Sequence, residues 1–375
     1  MRKFIPISQP SITSLEIEYV TDAIKSGWVS SMGEYINRFE QEFASYCGTK
    51  YALTTSTGTA ALHLALLSLG IGVGDEVIIP DLTFISTANA VTYAGAKVIL
   101  VDIEKDTLCI DPIKIEQAIT KNTKAIIPVH LYGHPANMID INKLAEKYNL
   151  VVIEDAAEAH GAEVKGQKTG ALGDCGIFSF YGNKVLTCGQ GGMITTNDAE
   201  LYERAKYLRN YAVHPNKKYW HDEVGYNYRI TNLQAALGLA QLQRIESTIN
   251  RKKEIFLRYE KCLSNVPRIQ LNYTAPWAVN IYWLICLQIE DFCEEDRNNL
   301  INTLGIQGIE TRPYFYPVSR MPMYQNYAQS NSNAISYQVS VQGINLPSYF
   351  DLSNKEIDHI CEVVSDGIWK GDIKY

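Results

Sequence analysis

The chain has 375 residues, 46% hydrophobic and 20% charged, which are values of a folded globular protein and exclude disordered, collagen-like and low-complexity readings. That length exceeds what one core usually supports, so a large domain and a smaller one are expected. Lys plus Arg number 34 against 41 Asp plus Glu, a net charge of −7, which makes a poor general binder of nucleic acid or anionic membrane but is compatible with a local basic pocket for a phosphorylated small molecule.

In chain order, Met1-Arg2-Lys3-Phe4-Ile5-Pro6 turns polar at once and lacks the apolar stretch of a signal peptide. Residues 1–10 have no partner nearby in sequence and are expected to pack on the C-terminal domain. Short β-branched runs at 76–80, 97–103, 124–130, 150–154, 176–180 and 193–196 read as strands, with helical patterns such as 141–147 between them. Continuous apolar strands separated by helices predict an α/β class with a mostly parallel sheet covered on both faces. The stretch 233–253, rich in Ala, Leu and Gln, reads as one long helix leading out of a large domain that spans residues 11–250. Residues 251–375, with Pro-bounded strand candidates and two helical stretches, read as a smaller α+β domain. No run of about 18 apolar residues occurs, so no membrane span is expected. Cys47, Cys109, Cys175, Cys188, Cys262, Cys286, Cys293 and Cys361 include no C-x-x-C pair, which fits a reduced, cytoplasmic chain.

Three segments carry chemistry. In Thr55-Ser56-Thr57-Gly58-Thr59-Ala60-Ala61-Leu62, small hydroxyl residues and a glycine open a strongly apolar helix that Gly70 closes. The free amides and the dipole at such a helix start favour a phosphate; an ordinary helix capped by Thr57 would carry the same residues. Gly70, Gly72 and Gly74 do not have dinucleotide-fold spacing, and no Walker pattern is present. In Val151-Val152-Ile153-Glu154-Asp155-Ala156-Ala157-Glu158-Ala159-His160-Gly161 an apolar strand runs into two acids, at the strand end where parallel sheets form their ligand crevice. A carboxylate there can hold a cationic ring nitrogen or a metal, or merely cap a helix. His130 and His134 are four apart, but Gly133 and Pro135 oppose the helix that would align them on a metal. In Gly176-Ile177-Phe178-Ser179-Phe180-Tyr181-Gly182-Asn183-Lys184, followed by Gly189-Gln190-Gly191-Gly192, a buried strand ends in a lysine set between aromatic residues and a glycine cluster. A partly desolvated lysine is nucleophilic and suits Schiff-base chemistry.

Together these segments resemble the pyridoxal-phosphate enzymes of fold type I and, more narrowly, the sugar-nucleotide aminotransferases of the DegT/DnrJ/EryC/StrS family. The resemblance runs over nearly the whole chain, from Gly27-Trp28-Val29-Ser30-Ser31 and Asp81-Leu82-Thr83-Phe84-Ile85-Ser86-Thr87 to Gly225-Tyr226-Asn227-Tyr228-Arg229 and Gly308-Ile309-Glu310-Thr311-Arg312-Pro313. With Pro215-Asn216-Lys217-Lys218-Tyr219-Trp220-His221 it is similar to the C4-aminating branch of the GDP-perosamine synthase type.

The resemblance implies a fold type I aminotransferase with a large domain on a mostly parallel sheet and a smaller α+β domain. Lys184 is implied as the catalytic lysine that links covalently to pyridoxal 5'-phosphate and then shuttles protons. Asp155 is implied as partner of the pyridine nitrogen, and Glu158 as a neighbour of the phenolic oxygen that must be protonated or face a cation. Gly58, Thr59, Ala60 and Ser179 are implied at the phosphate, and Phe84 on the ring. Asn227 is implied to reach the phosphate of the other subunit in a homodimer with shared active sites. Trp28, Ser30, His160, Tyr181, Arg229 and Arg312 are implied near the substrate. Gln190 departs from the family, which often has Glu there. The implied reaction is ping-pong transfer of an amino group from L-glutamate to a nucleotide-linked 4-keto-6-deoxyhexose. Rival readings are C3 amination or dehydration with the same cofactor, and a non-catalytic cofactor-binding sensor. The dehydrating branch carries histidine in place of the lysine, and sensors usually carry an added DNA-binding module, so Lys184 and the missing basic stretch favour amino transfer.

Overall fold

The computed structural model describes residues 4–327 and 333–371. Its centre is a seven-stranded sheet of β1 (Tyr51–Thr55), β2 (Glu76–Pro80), β3 (Lys97–Val101), β4 (Thr123–Ile126), β5 (Val151–Asp155), β6 (Cys175–Ser179) and β7 (Gly192–Thr196), in the order β1-β7-β6-β5-β4-β2-β3. Only β7 runs antiparallel to its neighbours. Residues alternate between two apolar clusters, with Ile78, Ile126, Val152 and Phe178 on one face and Val77, Ile79, Ala125, Ile153 and Ile177 on the other. Both faces are therefore covered, which is why the strands read as unbroken apolar runs.

The larger differences from the sequence reading fall in three places. β4 stops at Ile126 rather than 130, because Pro128 has no amide to continue the ladder; pairing resumes only as an isolated bridge between Val129 and Asp155. The expected long helix is two, Asn232–Gln243 and Ile245–Leu263, broken at Arg244 with φ −119° and ψ 12°. The Arg244 guanidinium donates to the Ser11 carbonyl (2.9 Å) and pairs with Glu16 (3.0 Å), so a tertiary anchor outweighs local helix propensity. Beyond residue 263 the described chain has three α-helices, Glu294–Ile306, Ala334–Gln342 and Asn354–Gly371, rather than two. Ala334–Gln342 has Val, Ile and Tyr among its nine residues. Its first amides, from Ile335 and Ser336, donate to the Asp102 carboxylate just past β3 (3.0 and 2.9 Å), a cap supplied by a distant element.

A second, antiparallel sheet orders Ile269–Leu271, Ile285–Ile289, Gly343–Leu346 and Arg312–Pro313 over a third apolar cluster. Ile5 bridges to Ile309, and the Ser348 amide donates to the Ile7 carbonyl (3.0 Å), which ties residues 5–7 to this sheet. No helix among the described residues is long and apolar enough to cross a membrane. All eight cysteines are free.

Candidate active site

The carboxyl ends of the parallel strands open into a cavity of about 470 Å³. After β1, the Thr57 hydroxyl caps the helix Gly58–Ser68 by accepting the Ala60 amide (3.0 Å). Both readings of this segment thus meet in one place: Thr57 is the cap, and Gly58 and Thr59 form the cavity wall. The Ala60 amide donates to that cap, and Ala60 itself does not line the cavity. A Cβ on Gly58 would stand 2.9 Å from Ser179 Cβ, and one on Gly192 would stand 2.5 Å from the Thr57 carbonyl carbon. Glycine at both positions lets the helix start touch the ends of β6 and β7, so Ser179 joins Gly58 and Thr59 at one end of the cavity.

β5 delivers the two acids to opposite sides, as the two-residue period of a strand requires. Glu154 points into the interior, where its carboxylate accepts the amides of Gly170, Leu172 and Gly173 and the His130 imidazole. Asp155 lines the cavity. It is buried, and its carboxylate accepts the Thr87 hydroxyl (2.8 Å) and, more weakly, the Ala157 amide (3.3 Å). No helix follows β5, so Asp155 is not a cap. Burial pushes its carboxyl above the usual range, opposed by the Thr87 bond and the charge of Lys184. A buried anion with neutral hydrogen-bond partners is matched by a cationic ring nitrogen.

Lys184 enters from the loop after β6. Its Nζ lies 3.2 Å from Glu158 Oε1 and 3.8 Å from the ring centre of Trp283. The other Glu158 oxygen accepts the Tyr132 amide (3.0 Å). Burial, opposed in part by the Lys184 charge, leaves the Glu158 carboxyl raised, and Lys184 is the cation it faces in this chain. Tyr132 adopts φ +53°, a left-handed conformation costly for a side chain this large, and the Glu158 bond helps to hold it. A hydroxyl and two turn amides at one end, a buried carboxylate and an amine elsewhere on the wall fit pyridoxal phosphate.

Phe84 stands half-exposed at the mouth, 5.8 Å from Phe315 between ring centres. Tyr181 and Arg312 also line the cavity, with Arg312 3.4 Å from Glu310. The other sequence candidates do not line it. His160 is wholly buried between Phe178 and Phe180 (5.3 and 5.8 Å), where burial lowers its pKa to about 3 and keeps it neutral. Trp28 and Ser30 present their carbonyls to Asn232 (2.7 and 2.6 Å), bracing the start of the helix Asn232–Gln243. Asn227 and Arg229 bond each other (3.1 Å) on the surface of this chain. His130 and His134 are spent on internal bonds to Glu154, Pro135 and the Ala136 and Ala275 amides. Sequence reasoning missed Tyr132, Trp283, Phe315 and Asn345 on the cavity wall. Tyr132-Gly133 had a turn signal in its glycine; the other three sit in segments whose only pattern is apolar or polar alternation.

Residues 10–365 match the DegT/DnrJ/EryC1/StrS aminotransferase family. The chain is 46% identical over 364 residues to the GDP-perosamine synthase of Escherichia coli O157:H7, covering 97% of this chain and 98% of that protein. It is 43% identical over 357 residues to the GDP-perosamine synthase of Caulobacter vibrioides, covering 95% and 96%. The PLP-form structure of the putative sugar aminotransferase Spr1654 from Streptococcus pneumoniae superposes with a TM-score of 0.93 at 30% identity, covering 98% of this chain and 99% of that one.

Proposed function

Because the chain belongs to the DegT/DnrJ/EryC1/StrS aminotransferase family and is a pyridoxal-phosphate-dependent nucleotide-sugar aminotransferase, we propose that it aminates C4 of a GDP-linked 4-keto-6-deoxyhexose with L-glutamate as donor. The observation that carries the reaction type is the Lys184 amine, held 3.2 Å from Glu158 in a cavity that Asp155 also lines. The full-length likeness to GDP-perosamine synthases supports the substrate.

Pyridoxal phosphate, when bound, supplies an electron sink for a carbanion and carries the amino group between the two half-reactions. In our reading Gly58, Thr59 and Ser179 hold its phosphate at the helix start, and Phe84 covers its ring. Asp155 keeps a proton on the ring nitrogen. Lys184 takes and returns the substrate proton as base and acid, with Glu158 aiming the amine. Asn227 of a second copy completes each phosphate site, so the working unit is a homodimer. Residues 11–250 hold the cofactor and residues 251–375 close the cavity from the other side, with Trp283, Arg312, Phe315 and Asn345 on its wall. Eight free thiols support a cytoplasmic setting.

The test is to supply glutamate with GDP-, UDP- and dTDP-linked 4-keto-6-deoxyhexoses and follow 2-oxoglutarate and the aminosugar. The GDP sugar should turn over fastest, with nitrogen at C4. Preferred turnover of a UDP or dTDP sugar, or amination at C3, would overturn the substrate assignment.

A further inference from the structure

The Lys184 amine has two neighbours. Glu158 takes one of its three N–H donors, and the face of Trp283 lies 3.8 Å from it. Glu158 cannot follow a moving amine, since its second oxygen is tied to the Tyr132 amide. Trp283 is fixed as well. Its indole N–H donates to the carbonyl of Asn183 (2.8 Å), the residue directly before Lys184, so the ring and the lysine's own backbone are locked together. The main chain of Trp283 is held from behind. Its carbonyl accepts from Lys252 Nζ (3.0 Å) and from the Ser348 hydroxyl (2.9 Å). Lys252 is a buried cation on the helix Ile245–Leu263, and its remaining bonds go to Ser348, the hydroxyl at 3.0 Å and the carbonyl. A buried ammonium served only by neutral acceptors is costly to keep, and burial lowers its pKa to about 7. What it accomplishes here is to fix the peptide that aims an indole at the reactive amine.

We propose that Trp283 is the resting place of the freed Lys184 amine, a π face that holds its charge opposite Glu158 during the half-reactions in which the amine acts as proton carrier, and that Lys252 is the positioning residue that sets this face. The proposal rests on the reading of Lys184 as the reactive lysine. An ammonium over an aromatic face is favoured by about 0.5–2 kcal/mol, which is a factor of roughly 2–30. Trp283→Phe keeps a π face and loses the N–H bond to Asn183; Trp283→Leu keeps apolar bulk and loses the π face. The Leu variant leaves the larger void of the two.

The experiment is competitive acetylation with acetic anhydride at neutral pH on apoprotein, with lysine modification read by mass spectrometry. Lys184 in Trp283→Leu should label roughly 2–30-fold faster than in wild type, whereas Trp283→Phe should stay within about twofold. The exposed Lys217 and Lys218 serve as internal references. Lys252→Met should speed Lys184 labelling in the wild-type background and add nothing in Trp283→Leu, because it acts through the indole. Equal labelling rates in the Phe and Leu variants would overturn the proposal, since loss of the π face would then count for nothing. Borohydride fixation of pyridoxal phosphate in wild type checks the underlying reading separately. An adduct on another lysine sinks the Lys184 assignment, while an adduct on Lys184 with equal Phe and Leu rates sinks only the role of Trp283.

Discussion

Glu154→Gln changes one atom in the interior and should unfold the chain several degrees sooner. The Ala136 amide donates to His130 Nδ1 (2.9 Å), so that nitrogen carries no proton and the ring hydrogen is on Nε2, which donates to Glu154 Oε2 (2.9 Å). The same oxygen accepts the Gly170 amide (2.8 Å), and Oε1 accepts those of Leu172 and Gly173 (2.7 and 2.8 Å). Four donors thus converge on two oxygens. A glutamine offers one oxygen and one NH2, and in either orientation two of the four donors face another donor. The imidazole cannot yield by moving its proton, because Nδ1–H would then oppose the Ala136 amide. Each buried unmet donor costs about 1–3 kcal/mol, so the loss is about 4 kcal/mol. At roughly 2 °C per kcal/mol for a chain of this size the melting temperature should fall by about 8 °C. Circular dichroism melting of matched holoproteins measures it, and turnover at low temperature should survive because Glu154 does not line the cavity. A fall under about 2 °C, or loss of cofactor with unchanged melting, would refute this division of labour between the two acids.

Asp155→Asn should do the reverse, keeping the fold and costing catalysis about 10–150-fold from one charge-assisted bond of about 1.5–3 kcal/mol; near-normal turnover would remove Asp155 from the mechanism. Its pH signature is also signed. Burial raises the Asp155 carboxyl, so above its ordinary value of 3.8 the folded apoprotein holds a proton that the unfolded chain has released. Stability from this group therefore falls as pH rises through that window, and Asp155→Asn should flatten that part of the apoprotein melting curve, whereas a parallel curve would contradict it. Lys184→Ala should retain some pyridoxal phosphate but lose transamination and the borohydride-fixed adduct. Mixed dimers of Lys184→Ala with Asn227→Ala subunits should regain activity towards half of wild type, because one site of each pair carries neither lesion; no recovery in proven heterodimers would confine Asn227 to its own subunit.

The sheet was legible because fully buried strands leave runs of Val and Ile that no surface constraint interrupts. Breaks in that legibility have local causes. Pro128 stops a ladder inside an apolar run, and Arg244 breaks a helix to reach Ser11 and Glu16 on a segment more than two hundred residues earlier. That Lys184 and Asp155 line one cavity could be anticipated because a lysine after an aromatic strand and an acid at a strand end are chemically conspicuous. The pair Glu154-Asp155 could not be divided from composition, since which acid faces the cavity depends on the register of β5. Trp283 was invisible for a different reason: it lies among Ile281, Leu284 and Ile285 as one more large apolar residue. Only the second sheet's placement turns its ring towards Lys184. His160 sits in a motif dense with candidate residues, yet its ring packs between phenylalanines and does not line the cavity.

The antiparallel strand β7 has a consequence for the order in which this protein can be made. β1 leaves a growing chain early, but its sheet partner is β7, so until residues 192–196 exist it is an unpaired edge. The Gly58 turn likewise cannot meet Ser179 before β7 slots between β1 and β6. Pairings of such long sequence separation form slowly. The helix start at Gly58 therefore reaches Ser179 as the sheet closes, and a chain arrested before β7 carries Lys184 and Asp155 without the assembled cavity wall around them. Uptake of pyridoxal phosphate during refolding should therefore follow completion of the sheet rather than the early collapse of its core.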